Sequence, residues 1–341
     1  MSATTPPVID MHAHLHVPER AAIAAALPGA SMAREATKGW IGPDSLAHTA
    51  SIADVLHYEL TDVDARLSAM DAMGVSMQAV SLAPAQYYYW ADPAAVRDMV
   101  ETSNAATADL VSGHPERFVG IADVAIGHPE LAAEQLARAV GHWGLRGVQI
   151  SSRAGRFELS APQLDPFWHA AEALGVPVII HPLGCSLGPR LAHRFLNNTV
   201  GQPVEHAVAL SHLIFSGVLD RFPKLKVLAV HGGGYLPMYI GRSDHAWSVR
   251  PESRGCIEPP SSYLPRLYVD SLVYTGDALR HLIDVVGVDH IVTGTDYPYD
   301  MGVRDPLQRI DSVPGLTARE RSAIFHGTAS RLLGLDAPVA S

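Results

Sequence analysis

The sequence predicts an α/β protein built as a (β/α)8 TIM barrel with an insertion after its first strand, and three observations carry that prediction. Eight β-branched or apolar runs of strand length recur along the 341 residues, at 8–14, 75–82, 118–124, 146–151, 176–181, 225–231, 267–272 and 290–295. Helix-period segments separate most of them, and alternation repeated eight times implies a parallel sheet with right-handed crossovers. Four of the runs end in a group able to bind metal or move protons: VIDMHAH in His12 and His14, VPVIIHP in His181, KVLAVHGGG in His231 and HIVTGTDYP in Asp296. Strand C-termini converge at one rim of such a barrel, where its active sites lie. One domain over 1–341 is expected, with a lid or insertion at about 16–60.

The first strand spaces Asp10, His12 and His14 by two, so all three project to one side. The 16–60 stretch that follows is too long for a simple connection. It holds a small alanine-rich helix (AAIAAAL) and the GWIGPD segment, and reads as a substrate-binding element. DVDARLSAMDAMG then sets Val63, Leu67, Met70 and Met73 at helical intervals, and Gly74 stops that helix. After the second strand a helix runs from Pro93 to about Gly113; after the third, HPELAAEQLARAV places Leu131, Leu136 and Val140 on one face. Further helices are expected at 163–174, 203–220, 235–248, 277–286 and 317–333. VPVII and KVLAV are apolar throughout, as short parallel strands covered on both faces should be. A Pro- and Gly-rich excursion at 250–266 interrupts the rhythm before the seventh strand.

Composition narrows the partners. A net charge of −10, with 25 basic residues spread along the chain, argues against nucleic acid or an anionic membrane surface. The longest apolar runs fall far short of a membrane span. MSATTPPVID has neither a basic nor an apolar signal region, and the two cysteines make no disulfide framework, so a cytoplasmic location is expected.

Unpaired imidazoles inside a barrel would be costly, and a cation removes the cost by taking their lone pairs. Three imidazoles and a carboxylate suit one divalent transition metal with an open position; zinc is expected, with manganese as the alternative. The fourth strand, LRGVQISS, holds no lysine, and none of the three lysines ends a strand. One metal rather than a lysine-bridged pair is therefore expected, and the same scarcity argues against Schiff-base chemistry. HGGG could cradle a phosphate, but no P-loop lysine follows, and the glycines read better as letting backbone approach a substrate.

These motifs resemble the amidohydrolase superfamily, and within it the branch of nonoxidative decarboxylases that includes 2-amino-3-carboxymuconate 6-semialdehyde decarboxylase. The resemblance runs through DMHAHLH, YYWADP, HPERFVGIADV, GVQI, HPLG, the long GVLDRFPKLKVLAVHGGG block with GRSDHAWSVRPE after it, and GTDYP. It implies metal ligands at His12, His14, His181 and Asp296, with His231 beside the metal-bound water. It further implies that Arg242 binds a substrate carboxylate in the neighbouring subunit's site, hence a homodimer. TASIADVLHYE lacks the second carboxylate-binding arginine of that decarboxylase, and Phe195 stands where it has tryptophan. A small monocarboxylate, conjugated or aromatic, is thus expected in place of its dicarboxylate.

The expected reaction is decarboxylation, with His231 shuttling the proton, Asp296 working beside it as ligand and hydrogen-bond partner, and Arg242 pairing the carboxylate bidentately. Tyr87, Trp90 and Phe195 are candidate pocket walls, or ordinary core and lid aromatics. Hydrolysis of a lactone or amide, or hydration of a conjugated acid, would use the same ligands. A non-catalytic metal-binding barrel is the alternative from outside enzymology.

Overall fold

Parallel strands need crossovers, and the computed structural model, which describes residues 7–335, supplies one after nearly every strand. The barrel strands are β1 (Ile9–Leu15), β2 (Met77–Leu82), β3 (Phe118–Gly120), β4 (Val148–Ile150), β5 (Pro177–Ile180), β6 (Lys226–Ala229), β7 (Leu267–Asp270) and β8 (Ile291–Val292). Neighbours pair in parallel in chain order, β1 to β3 and β4 to β8, with Ile9 opposite Met77 and Val178 opposite Val227. Isolated bridges close the ring: Ala122 with Val148 joins β3 to β4, and Asp10 with Thr293 joins β1 to the residue after β8. The barrel expected from the sequence is therefore the fold observed.

Several strands stop short of their apolar runs. The run 118–124 pairs only over Phe118–Gly120 and 290–295 only over Ile291–Val292. Two runs end in reversal to left-handed backbone, at His231 (φ 53°) and Asp296 (φ 58°), so the ladder gives way where these two side chains are brought together.

The insertion holds four helices where the sequence suggested one: α1 (Pro18–Ala26), α2 (Ala30–Ile41), α3 (Pro43–Ser51) and α4 (Ala53–Thr61). It is pinned by a buried arginine on α1. Arg20 pairs with Asp123 beyond β3, and its Nε donates to the Gln86 carbonyl at 2.9 Å. The barrel helices α5 (Val63–Met73), α6 (Pro93–Gly113), α7 (Pro129–Gly141), α8 (Asp165–Leu174), α9 (Gly201–Phe215), α10 (Leu236–Val249) and α11 (Gly276–Val286) follow the expected periodicity. Asp62 caps α5 by accepting from the Ala65 amide, and Gly74 ends it at φ 71°. The helix expected over 203–220 breaks at Gly217 (φ 68°), where the chain turns. The one expected over 317–333 carries a π-helical turn at Ala323–Gly327.

Apolar side chains from the outward strand faces and inner helix faces form the main core, with Trp168, Phe167 and Leu136 fully buried. A second cluster joins Met11, Val119, Ile179 and Leu228 to Leu332 and Leu333 of the last helix. Among the described residues no helix is long and apolar enough to cross a membrane.

Candidate metal centre

Four strand ends meet at this rim of the barrel. The ligand atoms of His12, His181, His231 and Asp296 all lie within 4.8 Å of one another. Asp296 Oδ1 is the hub, 3.1 Å from His14 Nε2, 3.3 Å from His12 Nε2 and 4.0 Å from His181 Nε2. Its other oxygen lies 3.6 Å from His231 Nε2. His231, which the resemblance placed beside the ligands, thus sits within their tightest grouping.

The donor set fits a cation. His12 Nε2 and His181 Nε2 are buried and have no hydrogen-bond partner among the described residues. Each ring is anchored through its far nitrogen: His181 Nδ1 donates to the Pro182 carbonyl at 2.8 Å, and His12 Nδ1 to Asp270 Oδ2 at 2.7 Å. With the proton on Nδ1, the Nε2 lone pairs point at Asp296. Anchoring of this kind is what orients imidazole ligands on a metal, and two orphaned buried nitrogens are otherwise unfavourable.

The protonation pattern agrees. Burial alone would depress His12, but Asp296 and Asp270 push it up to about 10, so a proton there substitutes for a cation. Burial holds His14 near 4 and His181 near 3, both neutral. Burial works to raise Asp296, yet His12, His14 and His181 hold it well below the carboxylate range. Asp10 is raised to about 6 by burial, against hydrogen bonds from Thr295 and Gln78. It braces the strand, accepting from the His12 amide at 3.0 Å, and stands outside the ligand group.

The glycines after His231 serve packing more than substrate approach. A Cβ on Gly232 would meet Val273 Cγ1 at 2.3 Å, and the Gly232 amide donates to Asp270 Oδ1 at 2.8 Å. A Cβ on Gly234 would meet the Pro203 carbonyl at 2.3 Å and His206 Cβ at 2.8 Å. The turn thereby admits both Asp270 and α9.

A cavity of about 610 Å³ opens over the cluster, lined by His181, His231, Asp296, Phe195, Tyr299 and residues of α2–α4 including Trp40 and His48. Trp90, expected as a wall, lines an adjoining cavity instead, with Tyr88 and the alanine faces of α1 and α2. Tyr87 also lines that second cavity, and its hydroxyl donates to the His181 carbonyl at 3.1 Å. Arg242 is exposed on α10 and does not line its own chain's cavity. Sequence reasoning passed over Asp270, although LYVD ends in a carboxylate as the other runs end in ligands. Tyr299, whose ring lies 5.4 Å from that of His14, and the helix-borne His206 gave no comparable signal.

The amidohydrolase family model matches residues 9–335. The chain is 34% identical over 277 residues to 2-amino-3-carboxymuconate-6-semialdehyde decarboxylase from Dictyostelium discoideum, covering 81% of this chain and 77% of that protein. It is 28% identical to gamma-resorcylate decarboxylase from a Rhizobium species, over 82% of this chain and 90% of that one. Its fold superposes on 5-carboxyvanillate decarboxylase from Sphingomonas paucimobilis with a TM-score of 0.83, at 24% identity, covering 97% and 99% of the two chains. A dihydroxybenzoic acid decarboxylase from Polaromonas sp. JS666, solved with manganese and 2-nitroresorcinol, superposes with a TM-score of 0.81 at 24% identity, over 98% of each chain.

Proposed function

The chain belongs to the amidohydrolase family, and from that premise we propose that it is a metal-dependent nonoxidative decarboxylase of a small aromatic or conjugated carboxylic acid. One observation carries the reading: two orphaned imidazole nitrogens face a single carboxylate beside a further histidine, at the floor of a cavity sized for a small molecule. The decarboxylase names of the two curated relatives described above favour this over hydrolysis at the same centre.

His12, His14, His181 and Asp296 would hold the ion; the nitrogen-rich set favours zinc, and manganese is the alternative that the Polaromonas structure carries. The bound ion supplies a Lewis acid toward substrate oxygens. Phe195 lines the cavity and would wall the acid's ring. The bond between substrate carbon and carboxylate breaks, CO2 leaves, and the carbon that keeps the electron pair must take a proton. His231, with Nε2 turned to the cavity, moves that proton, and solvent restores it. Arg242 reaches the carboxylate from a second copy of the chain in a homodimer, which would explain its outward aim here. A reducing cytoplasm suits the two free cysteines.

Metal-loaded protein is to be assayed for CO2 release on gamma-resorcylate, 5-carboxyvanillate and 6-methylsalicylate. CO2 release with no oxygen from labelled water in the organic product is expected; label in the organic product would assign hydrolysis or hydration. His231→Ala should keep the metal and lose at least a hundredfold in kcat, roughly what general acid–base groups contribute, whereas His12→Ala should lose the metal. Normal turnover by His231→Ala would remove its role.

A further inference from the structure

The geometry points to His206 as a positioning residue for His231. His206 sits on α9, fully buried, and its Nε2 lies 3.1 Å from His231 Nδ1. Its other nitrogen, Nδ1, has no partner among the described residues. A buried imidazole that satisfies only half of its polar capacity is a poor core residue, and an apolar side chain would avoid the desolvation it incurs. The only polar contact it makes in the described structure is with the histidine of the cavity. Gly234 makes that contact possible, since any side chain there would collide with Pro203 and with His206 itself.

His231 needs such a partner. Its backbone is left-handed at φ 53°, its ring is partly exposed to the cavity, and no other hydrogen bond to its imidazole is found among the described residues. Without His206 the ring is free to turn, and Nε2 no longer faces Asp296 Oδ2. The identity of the partner also matters. His12 is held by a carboxylate, Asp270, which fixes the proton on Nδ1 and suits a metal ligand. A neutral imidazole can either accept from His231 Nδ1 or donate to it, so it orients the ring without committing it to one protonation state. That is the requirement for a group that both gives up and regains a proton.

The kinetic part of the test rests on the decarboxylase reading; the spectroscopic part does not. Three variants divide the possibilities. His206→Gln can place an amide near the lost Nε2 and so can pair with His231. His206→Asn places its amide nearer the position of Nδ1 and cannot reach. His206→Leu fills the volume with no polar atom. In zinc-loaded, 15N-histidine-labelled protein, the proton shared by the two rings should give a downfield, exchange-protected imidazole resonance that disappears in His231→Ala. The resonance should also be absent from His206→Leu and His206→Asn, with a protected His231 ring signal recovered in His206→Gln. All three variants should retain the metal. On whichever carboxylate the wild type turns over, kcat should fall about ten- to a hundredfold in His206→Leu and His206→Asn, a range typical of groups that orient a site residue. KM should stay within about twofold, with most of the rate returning in His206→Gln. A resonance that persists in His206→Leu overturns the proposal, as does full kcat in a His206→Leu protein that keeps its metal. Should His206→Leu fail to fold, His206→Asn carries the same two outcomes.

Discussion

Ligand orientation is decided one hydrogen bond at a time, and Asp270 is the clearest case. Its Oδ2 accepts from His12 Nδ1 and its Oδ1 from the Gly232 amide, so one carboxylate fixes both a proposed ligand and the turn that carries His231. Asp270→Asn keeps the volume, loses the charge and weakens the hold on the His12 tautomer. Metal affinity should drop about 10- to 100-fold, read by competition with a chromophoric chelator. An unchanged affinity would mean that His12 does not bind through Nε2. At this scale the sequence was legible wherever a polar residue ended an apolar run: His12, His14, His181, His231 and Asp296 share that signature. Asp270 shares it too, and was obscured because SLVY follows it without a Gly or Pro break. His206 was not legible, because GQPVEHAVALSH reads as an ordinary amphipathic helix and nothing in its spacing names the strand end it will meet.

Elements were legible in proportion to how much of their surface the barrel covers. The helices on the barrel wall bury one regular face each, and the periodicity marked them. The insertion buries few residues per helix, Arg20 and Ala24 on α1 and Ser45 on α3, so its pattern was blurred and three of its four helices escaped notice. Its attachment is correspondingly local. Arg20 and Asp123 are both buried, and removing one partner leaves the other charged and unmatched. Arg20→Ala should destabilise the protein by about 3–5 kcal/mol in denaturant unfolding, with proteolysis beginning in 18–61 at lower protease concentrations. Uniform loss of protection across the chain would show that this pair does not act as a local clamp. A second element has a pH signature. Thr317 and Glu320 form a reciprocal cap on the helix Ala318–Ser322, and Arg280 from α11 bonds the same carboxylate at 2.9 Å. Arg280, then the Thr317 amide, holds Glu320 down to about 2. The folded carboxyl lies below its unfolded value of about 4.3, so its contribution is complete above that pH and fades as pH falls toward 2. Glu320→Gln should therefore cost about 1 kcal/mol at neutral pH, and wild type and variant should converge in acid. A difference that stays constant down to pH 2 would separate the cap from the charge.

Across the whole molecule, the metal centre is also a long-range tie. His12 and His14 belong to the first strand and Asp296 follows the last, so the proposed ligand set joins the two edges that must meet for the barrel to close. Pairing at that seam is sparse: isolated bridges at Asp10–Thr293 and Ala13–Tyr297 stand where a continuous ladder would otherwise run. Without a cation, a proton on His12 offsets the Asp296 charge, which keeps the centre tolerable but provides no bond to His181. Metal binding should therefore stabilise the native fold and leave the unfolded chain largely unaffected. At free metal a hundredfold above Kd the gain is about 2.7 kcal/mol. For a chain of 341 residues that corresponds to a rise of roughly 4 °C in Tm. Chelated protein titrated with zinc, and separately with manganese, should show Tm climbing with the logarithm of free metal, with the tighter ion giving the larger shift. His12→Ala should abolish the rise, because it removes a proposed ligand from the seam, while His206→Leu should preserve it, because the side-chain hydrogen bond it removes goes to His231 and to none of the proposed ligands. A rise that survived undiminished in His12→Ala would mean that the ion binds away from this seam, and the assignment of its ligands would fall with it.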